Sequence, residues 1–293
     1  MSYCKFYDSD FNEIKLPQDE LGYGLKGIDL HVSSISSEIT ERKSQGLSGS
    51  VVTGVRDDDR QLYLTAMIEA MNSTDFHLKR DRIYSFFSEL DNFYITETEQ
   101  GNKLIEVMAI DSYYAERPDK FQKVAYLNIP LKKVGQPYWI SRFKTMDLHN
   151  NNGIYFNGNW SFGMNLDVDP SKLKYQFTNV NQFDFYNAGK QLKTIQEKGN
   201  CEIKIEFNQA VTNFSIEDAI GGKWKYNASK KSEWAIPAGA VLIFNGHDVR
   251  LNGTTIMERT NRYYPVINKG MNKWKVSGLS NYKITLDFRF KYY

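Results

Sequence analysis

Residues 75–91 read DFHLKRDRIYSFFSELD, the one helical period in a chain otherwise patterned like strands. Phe76, Ile83, Phe86, Phe87 and Leu90 recur at spacings of three, four and seven, which places them on one stripe of a 3.6-residue helix. Lys79, Arg80, Arg82 and Glu89 fall on the opposite face. Asn72, Ser73 or Thr74 can each cap the first turn by accepting a backbone N–H, and Asp75 sits where the helix dipole favours negative charge. Asp91-Asn92 stops the helix. The following FYITETE and KLIEVMAID, joined at Gln100-Gly101-Asn102, predict a β-hairpin. One helix laid on one hairpin requires more strands to complete a core.

Those strands are found on both sides. SYCKFYDSDFNEIKL predicts two short strands turning at Asp8-Ser9-Asp10. LGYGLKG, with Gly22, Gly24 and Gly27, has neither the strand before nor the helix after that a phosphate-cradling loop needs, so it reads as a plain loop. ISSEITERKSQGLSGSVVTGVRDDDRQ carries Val and Ile at its ends for two strands around a long polar connection, a candidate partner-binding arm. Leu62, Leu64, Ala66, Ile68 and Ala70 alternate with polar or larger neighbours, the period of a half-buried strand. AYLNIPLKKV adds another. The first part of the chain thus holds about six to eight strands and one helix.

Pro137 and the run Asn150–Asn152 followed by Gly153 mark a change in composition, giving a first domain at 1–135, a link at 136–150 and a second domain at 151–293. The second contains only short alternating segments: IYFNGNWSFGM, KLKYQFTNV, CEIKIEFNQ, AVLIFNGHDVRLNG, RYYPVI, NKWKVSG and YKITLDFRFKYY. Their spacing predicts a β-sandwich or jelly roll. In the last, Tyr282, Ile284, Leu286, Phe288 and Phe290 share one face, so it should be a central strand.

Composition narrows the function classes. With 293 residues and 41% hydrophobic content the chain can bury a sizeable core, and a formal net charge of +2 does not mark it as a nucleic-acid or membrane-surface binder. Cys4 and Cys201 lie far apart, which argues against a disulfide framework and for a reducing compartment. The first residues lack the blocks of a signal peptide, and no run reaches membrane-spanning length. Asn252-Gly-Thr254 is turn chemistry.

No constellation for chemistry stands out. His31, His77, His149 and His247 stand singly, without the spacing of a zinc site. His247-Asp248 lies between two strand-like runs and reads as a turn. Asp57-Asp58-Asp59 and Asp167–Pro170 could offer carboxylates to calcium but lack a complete ligand loop. Glu206, Glu217 and Glu233 would serve a glycosidase only if two came within roughly 5 to 9 Å. Neither an enzymatic activity nor a cofactor is expected. Aromatics make up 14% of the chain, which raises a competing reading as a carbohydrate-binding β-sandwich module for host cell-wall recognition. Trp160, Trp224, Trp234 and Trp274 lie in the second domain. Most should fill the space between sheets; Trp224, in GGKWKYN, and Trp234 are the candidates for an exposed sugar or partner platform.

The segments HLKRDRIYSFFSELDNFYI and IDSYYAERPDKFQ, the Pro-containing link and the closing YYPVINKGMNKWKVSG together resemble the distal tail proteins of long-tailed bacteriophages. The resemblance implies a mainly β protein: an α+β belt domain, a β-sandwich or split barrel with one helix, followed by a galectin-like β-sandwich. It implies a structural virion protein of the tail tip, assembled in the host bacterial cytoplasm. There the belt domain forms a homo-hexameric ring joining the tail tube protein to the tail-associated hub protein. The sandwich carries receptor-binding or other baseplate proteins, and DNA passes only in transit through the channel; host polysaccharide is the partner expected on the competing carbohydrate-module reading. No insertion in the second domain is long enough for the extended arm some members use. On this reading Arg42, Lys43, Arg56 and Arg60 are candidates for contacts to a neighbouring subunit or for the channel wall; the competing reading of each is a solvated face.

Overall fold

The structure, a computed structural model, describes residues 3–43, 45, 46, 48–119, 121–150, 173–228 and 232–293. Packing divides the chain into two compact units, 1–139 with Tyr293, and 140–292. The predicted strand at 154–164, Trp160 and Asp167–Pro170 lie outside the described residues.

The first unit contains β1 (Cys4–Tyr7), β2 (Gly24–Val32), β3 (Ser37–Arg42), β4 (Val51–Asp57), β5 (Leu62–Glu69), α1 (Ser73–Glu89), β6 (Phe93–Glu97), β7 (Lys103–Met108), β8 (Ala115–Glu116) and β9 (Val124–Lys133). The main sheet runs β1-β6-β7-β9-β5-β2, with β8 beside β9. Its two ends approach each other, because the Tyr3 amide donates to the Ile28 carbonyl at 2.9 Å. A bulge makes this contact available: Gly27 and Ile28 drop out of the β2–β5 register, with Gly27 at φ +57°. The result is the split, barrel-like sheet with one helix that the resemblance implies. LGYGLKG is therefore not a plain loop, since Gly24 opens β2. A side chain there would place its Cβ 2.4 Å from the Pro17 carbonyl oxygen, so only glycine fits.

The helix is seated as its stripe predicts. Phe76, Ile83 and Phe87 are buried, while Phe86 and Leu90 are half-buried. Phe87 meets the edge of Phe6 at 6.3 Å between centroids, and Phe6 stacks on Phe93 at 5.5 Å. Of the three capping candidates, Asn72 accepts the Asp75 N–H at 3.0 Å, and Asp75 accepts the Met71 N–H at 2.8 Å. Of the two strands predicted at the start, the second reduces to a single bridge between Tyr7 and Glu13.

In the polar arm, β3 and β4 pair only with each other, forming a separate two-stranded ribbon. It springs from the barrel-like sheet between β2 and β5.

The second unit begins in β10 (Trp139–Ser141), which spans the division at 139/140, and α2 (Thr145–Asn150). Residues 140–150, expected as a link, are packed into this unit. Thr145 Oγ1 donates to the Leu286 carbonyl at 2.8 Å, and the Ser141 hydroxyl oxygen accepts the Phe290 N–H at 3.0 Å. The remaining strands are β11 (Gln176–Thr178), β12 (Gln182–Asn187), β13 (Leu192–Lys193), β14 (Cys201–Phe207), β15 (Asn213–Glu217), β16 (Lys223–Asn227), β17 (Val241–Asn245), β18 (Asp248–Leu251), β19 (Thr254–Thr255), β20 (Val266–Ile267), β21 (Gly270–Ser277), β22 (Tyr282–Phe288) and β23 (Lys291–Tyr292).

Two antiparallel sheets result, β11-β22-β14-β17-β18-β19 and β12-β21-β15-β16, with one aromatic core in common. This is a β-sandwich. The strand β22 lies inside its sheet between β11 and β14, and Tyr282, Ile284, Leu286 and Phe288 are fully buried. One charged pair is also buried in this unit, Lys291 Nζ on Glu197 at 2.5 Å.

Candidate functional site

The β3–β4 ribbon is the most exposed ordered element of the first unit. Every side chain of β3 is exposed, and Ile39, Val51, Val52 and Val55 stand 52–68% exposed. Antiparallel pairing makes directly opposite residues share a face. Ile39 pairs with Val55, and Glu41 with Val52. The register slips by one residue between Thr40 and Glu41, so Val52 and Val55, although three apart, both lie on the Ile39–Glu41 face. A ribbon of two strands alone is marginal in water, and this one carries an apolar face.

The four predicted basic residues separate into two kinds. Arg42, at the end of β3, and Lys43 beside it are exposed. Arg56 on β4 is exposed and pairs with Glu38 across the ribbon, with Asp58 a further 3.6 Å partner. Arg60 differs, since it lies past β4 and is only 7% exposed. Burial lowers its guanidinium pKa, although the group remains charged. The fully solvated reading therefore does not hold for Arg60. The acidic triplet beside it is engaged by the protein itself: Asp57 accepts the Tyr138 hydroxyl at 2.5 Å, Asp58 faces Arg56, and Asp59 lies 3.6 Å from Lys133.

In the second unit the tryptophan expectation is corrected. Trp224 is 1% exposed on β16, with its ring edge-on to Phe244 at 5.0 Å and tilted on Phe214 at 5.2 Å. Its strand alternates, and Trp224 takes the inward position of GGKWKYN. Trp234 is 7% exposed; its carbonyl accepts the Tyr226 hydroxyl at 2.5 Å, and the Arg259 guanidinium lies over its ring at 5.4 Å. Neither indole presents the open face a pyranose ring needs. A cavity of about 560 Å³ beside Trp234 is lined also by Tyr226, Asn213, Lys225 and Asn261.

Other titratable groups singled out in the sequence have partners within the fold. His31 stacks on Tyr63 at 4.5 Å between centroids, and the Tyr175 amide donates to His149 Nδ1 at 3.4 Å. Glu206 bonds to Lys204, which holds its carboxyl below the usual range, and also reaches Lys283. Glu217 pairs with Lys223 at 3.6 Å on the other sheet. Among the described residues there is no group of three or more His, Cys, Asp or Glu placed to hold a metal ion. No described helix is long and apolar enough to cross a membrane.

Two features escaped the sequence reading. Lys79, placed on the solvent face of α1, is pinned between Asp19 at 2.8 Å and Asp75 at 2.6 Å. Asp218, in the turn after β15, is buried and accepts the Tyr263 hydroxyl at 2.5 Å and the Val266 and Gly222 amides at 2.9 Å.

Residues 28–156 match the phage tail protein RIFT-related domain family. No curated protein sequence matches the chain. Among solved structures it is similar to the Dit (gp 19.1) protein of phage SPP1, with a TM-score of 0.57 at 11% identity, covering 98% of this chain and 99% of that one. The baseplate of phage p2 in its activated conformation is more distant. The strontium form gives a TM-score of 0.40 at 11% identity and the calcium form 0.41 at 10%, with 97% of each chain covered. The chain thus has, along its length, the fold of a phage distal tail protein, and over residues 28–156 it carries a phage tail protein RIFT-related domain, as the resemblance in its sequence implies.

Proposed function

We propose that this chain is a structural protein of a phage tail tip or baseplate, whose first unit assembles into a hexameric ring. The observation that carries this reading is the coincidence of the two comparisons on one architecture. A phage tail domain matches residues 28–156, most of the first unit, and the full-length fold is similar to that of the SPP1 protein, described as a paradigm of the hub adsorption apparatus in Gram-positive infecting phages. The ring joins the tail tube protein above to the tail-associated hub protein below. Its channel passes DNA during transit, and its second units carry receptor-binding or other baseplate proteins. The finished protein resides in the virion after assembly in the host cytoplasm. Its role is architectural rather than enzymatic.

The exposed apolar ribbon supports a subunit contact, because a head-to-tail surface that closes on itself yields a ring. The buried indoles of Trp224 and Trp234 speak against the carbohydrate-module reading, which required one of them in solvent. Light scattering and negative-stain imaging of the purified chain, alone and with tail partners, test the proposal. Six-fold rings are expected; a monomer at every concentration and with every partner sinks it.

A further inference from the structure

The outer face of the β5–β9 sheet carries a cavity of about 760 Å³, with Arg60 in its wall and Tyr63, Tyr114 and Tyr126 among its lining residues. The three tyrosines are 40%, 71% and 58% exposed, an aromatic margin of the kind that anchors protein partners. Arg60 is the anomaly. Its Nε and Nη1 are buried and have no hydrogen-bond partner among the described residues. The other charged groups on the wall are Asp59, Glu116 and Lys132. Asp59 faces Lys133, and among the described residues none of these groups forms an ion pair with Arg60. A buried guanidinium without an acceptor is an expensive arrangement, which an arriving carboxylate relieves with two-pronged geometry.

The same chain offers a complementary piece. Ile39, Val52 and Val55 share one face of the β3–β4 ribbon with Glu41. Glu38 and Asp58 are matched to Arg56. Glu41, in contrast, accepts only the Ser50 hydroxyl, at 2.7 Å, among the described residues. Its own ribbon keeps it from Arg60, because Glu41 pairs with Val52 near the tip while Ser37 pairs with Asp57 at the root. At ~3.3 Å per residue the span from Val52 to Asp57 is roughly 16 Å.

We propose that this cavity is a socket for the β3–β4 ribbon of a second copy of the chain: the apolar face seats among the tyrosines and Glu41 of the partner subunit closes a bidentate ion pair on Arg60. Ribbon and socket are different patches of the chain, so copies joined head-to-tail through them repeat around a ring. The inference rests on the ring reading above and assigns its contact.

Sedimentation of the full chain across a concentration series, with circular dichroism to verify folding, provides the test. Glu41→Arg and Arg60→Glu should each raise the concentration needed for assembly at least tenfold, and the double charge swap should restore assembly. Glu41 is exposed, so Glu41→Arg tests the contact even where Arg60→Glu fails to fold. If folded Glu41→Arg assembles like the wild type, the socket is overturned while the ring stands. If the wild type never assembles, both fall.

Discussion

The Lys79 ammonium lies 2.8 Å from the Asp19 carboxylate, fastening helix α1 to the segment between β1 and β2. Asp75 completes the cluster at 2.6 Å. The bond to Lys79 is the largest influence lowering both carboxyls below their usual range. Burial pulls the ammonium down, but its bonds to the two carboxylates outweigh this and leave it above its usual value. Two pH windows follow. The carboxylates favour folding above their unfolded value of about 3.9, a gain lost as pH falls through the lower folded values. The ammonium favours folding below its unfolded value of about 10.4, a gain lost as pH rises through the higher folded value. Lys79→Met should therefore lower the urea midpoint at neutral pH and weaken its dependence on pH below about 4. An unchanged midpoint at pH 7 would show the cluster to be idle.

Phe87 is 2% exposed, against Phe6 and with Tyr113 edge-on at 6.2 Å. Phe87→Ala removes that ring and should cost the first unit about 3 to 5 kcal/mol, with assembly failing alongside. Phe86→Ala, at a half-buried position of the same helix, should cost clearly less. Urea unfolding of the two variants compares them directly, and equal losses would mean that the stripe is not seated as described.

Both cysteines are buried thiols. Burial pushes the Cys4 thiol up to about 12 and raises that of Cys201 further. Since the thiolate is the reactive form, neither should react with a chromogenic disulfide reagent at neutral pH until the chain is unfolded, when both titrate. Rapid labelling of native protein would contradict the burial of β1 or β14.

The helix and the closing strand were legible because each repeats its own period for long enough to exclude the other. The stripe from Phe76 to Leu90 allows only a helix, and Tyr282 to Phe288 only a strand covered on one face. Period alone does not say whether a face is covered. Trp224 and Lys225 alternate in GGKWKYN as they would on an open edge, and its opposing ring, Phe244, comes from the other sheet. β12, β15 and β16 were missed because five or six residues with one or two aromatics, as in NFSIE, fall below any periodic threshold. β2 was missed because Gly24 and Gly27 look like loop residues, although a close approach to Pro17 and a bulge demand them. Arg60 sits in the polar stretch RDDDRQ, where the sequence reads equally as a subunit contact or a solvated face and gives no sign of burial within the chain.

The ring-forming role of the first unit is the central claim, and expressing the two units apart tests it most directly. The second fragment should begin at Ile140 rather than at residue 151, because Ser141 and Thr145 are bonded into its sheet. Multi-angle light scattering of fragments 1–139 and 140–293 then gives their masses. The account predicts a ring-sized assembly of the first and a folded, soluble monomer of the second. A ring from 140–293 with a monomeric 1–139 would contradict it.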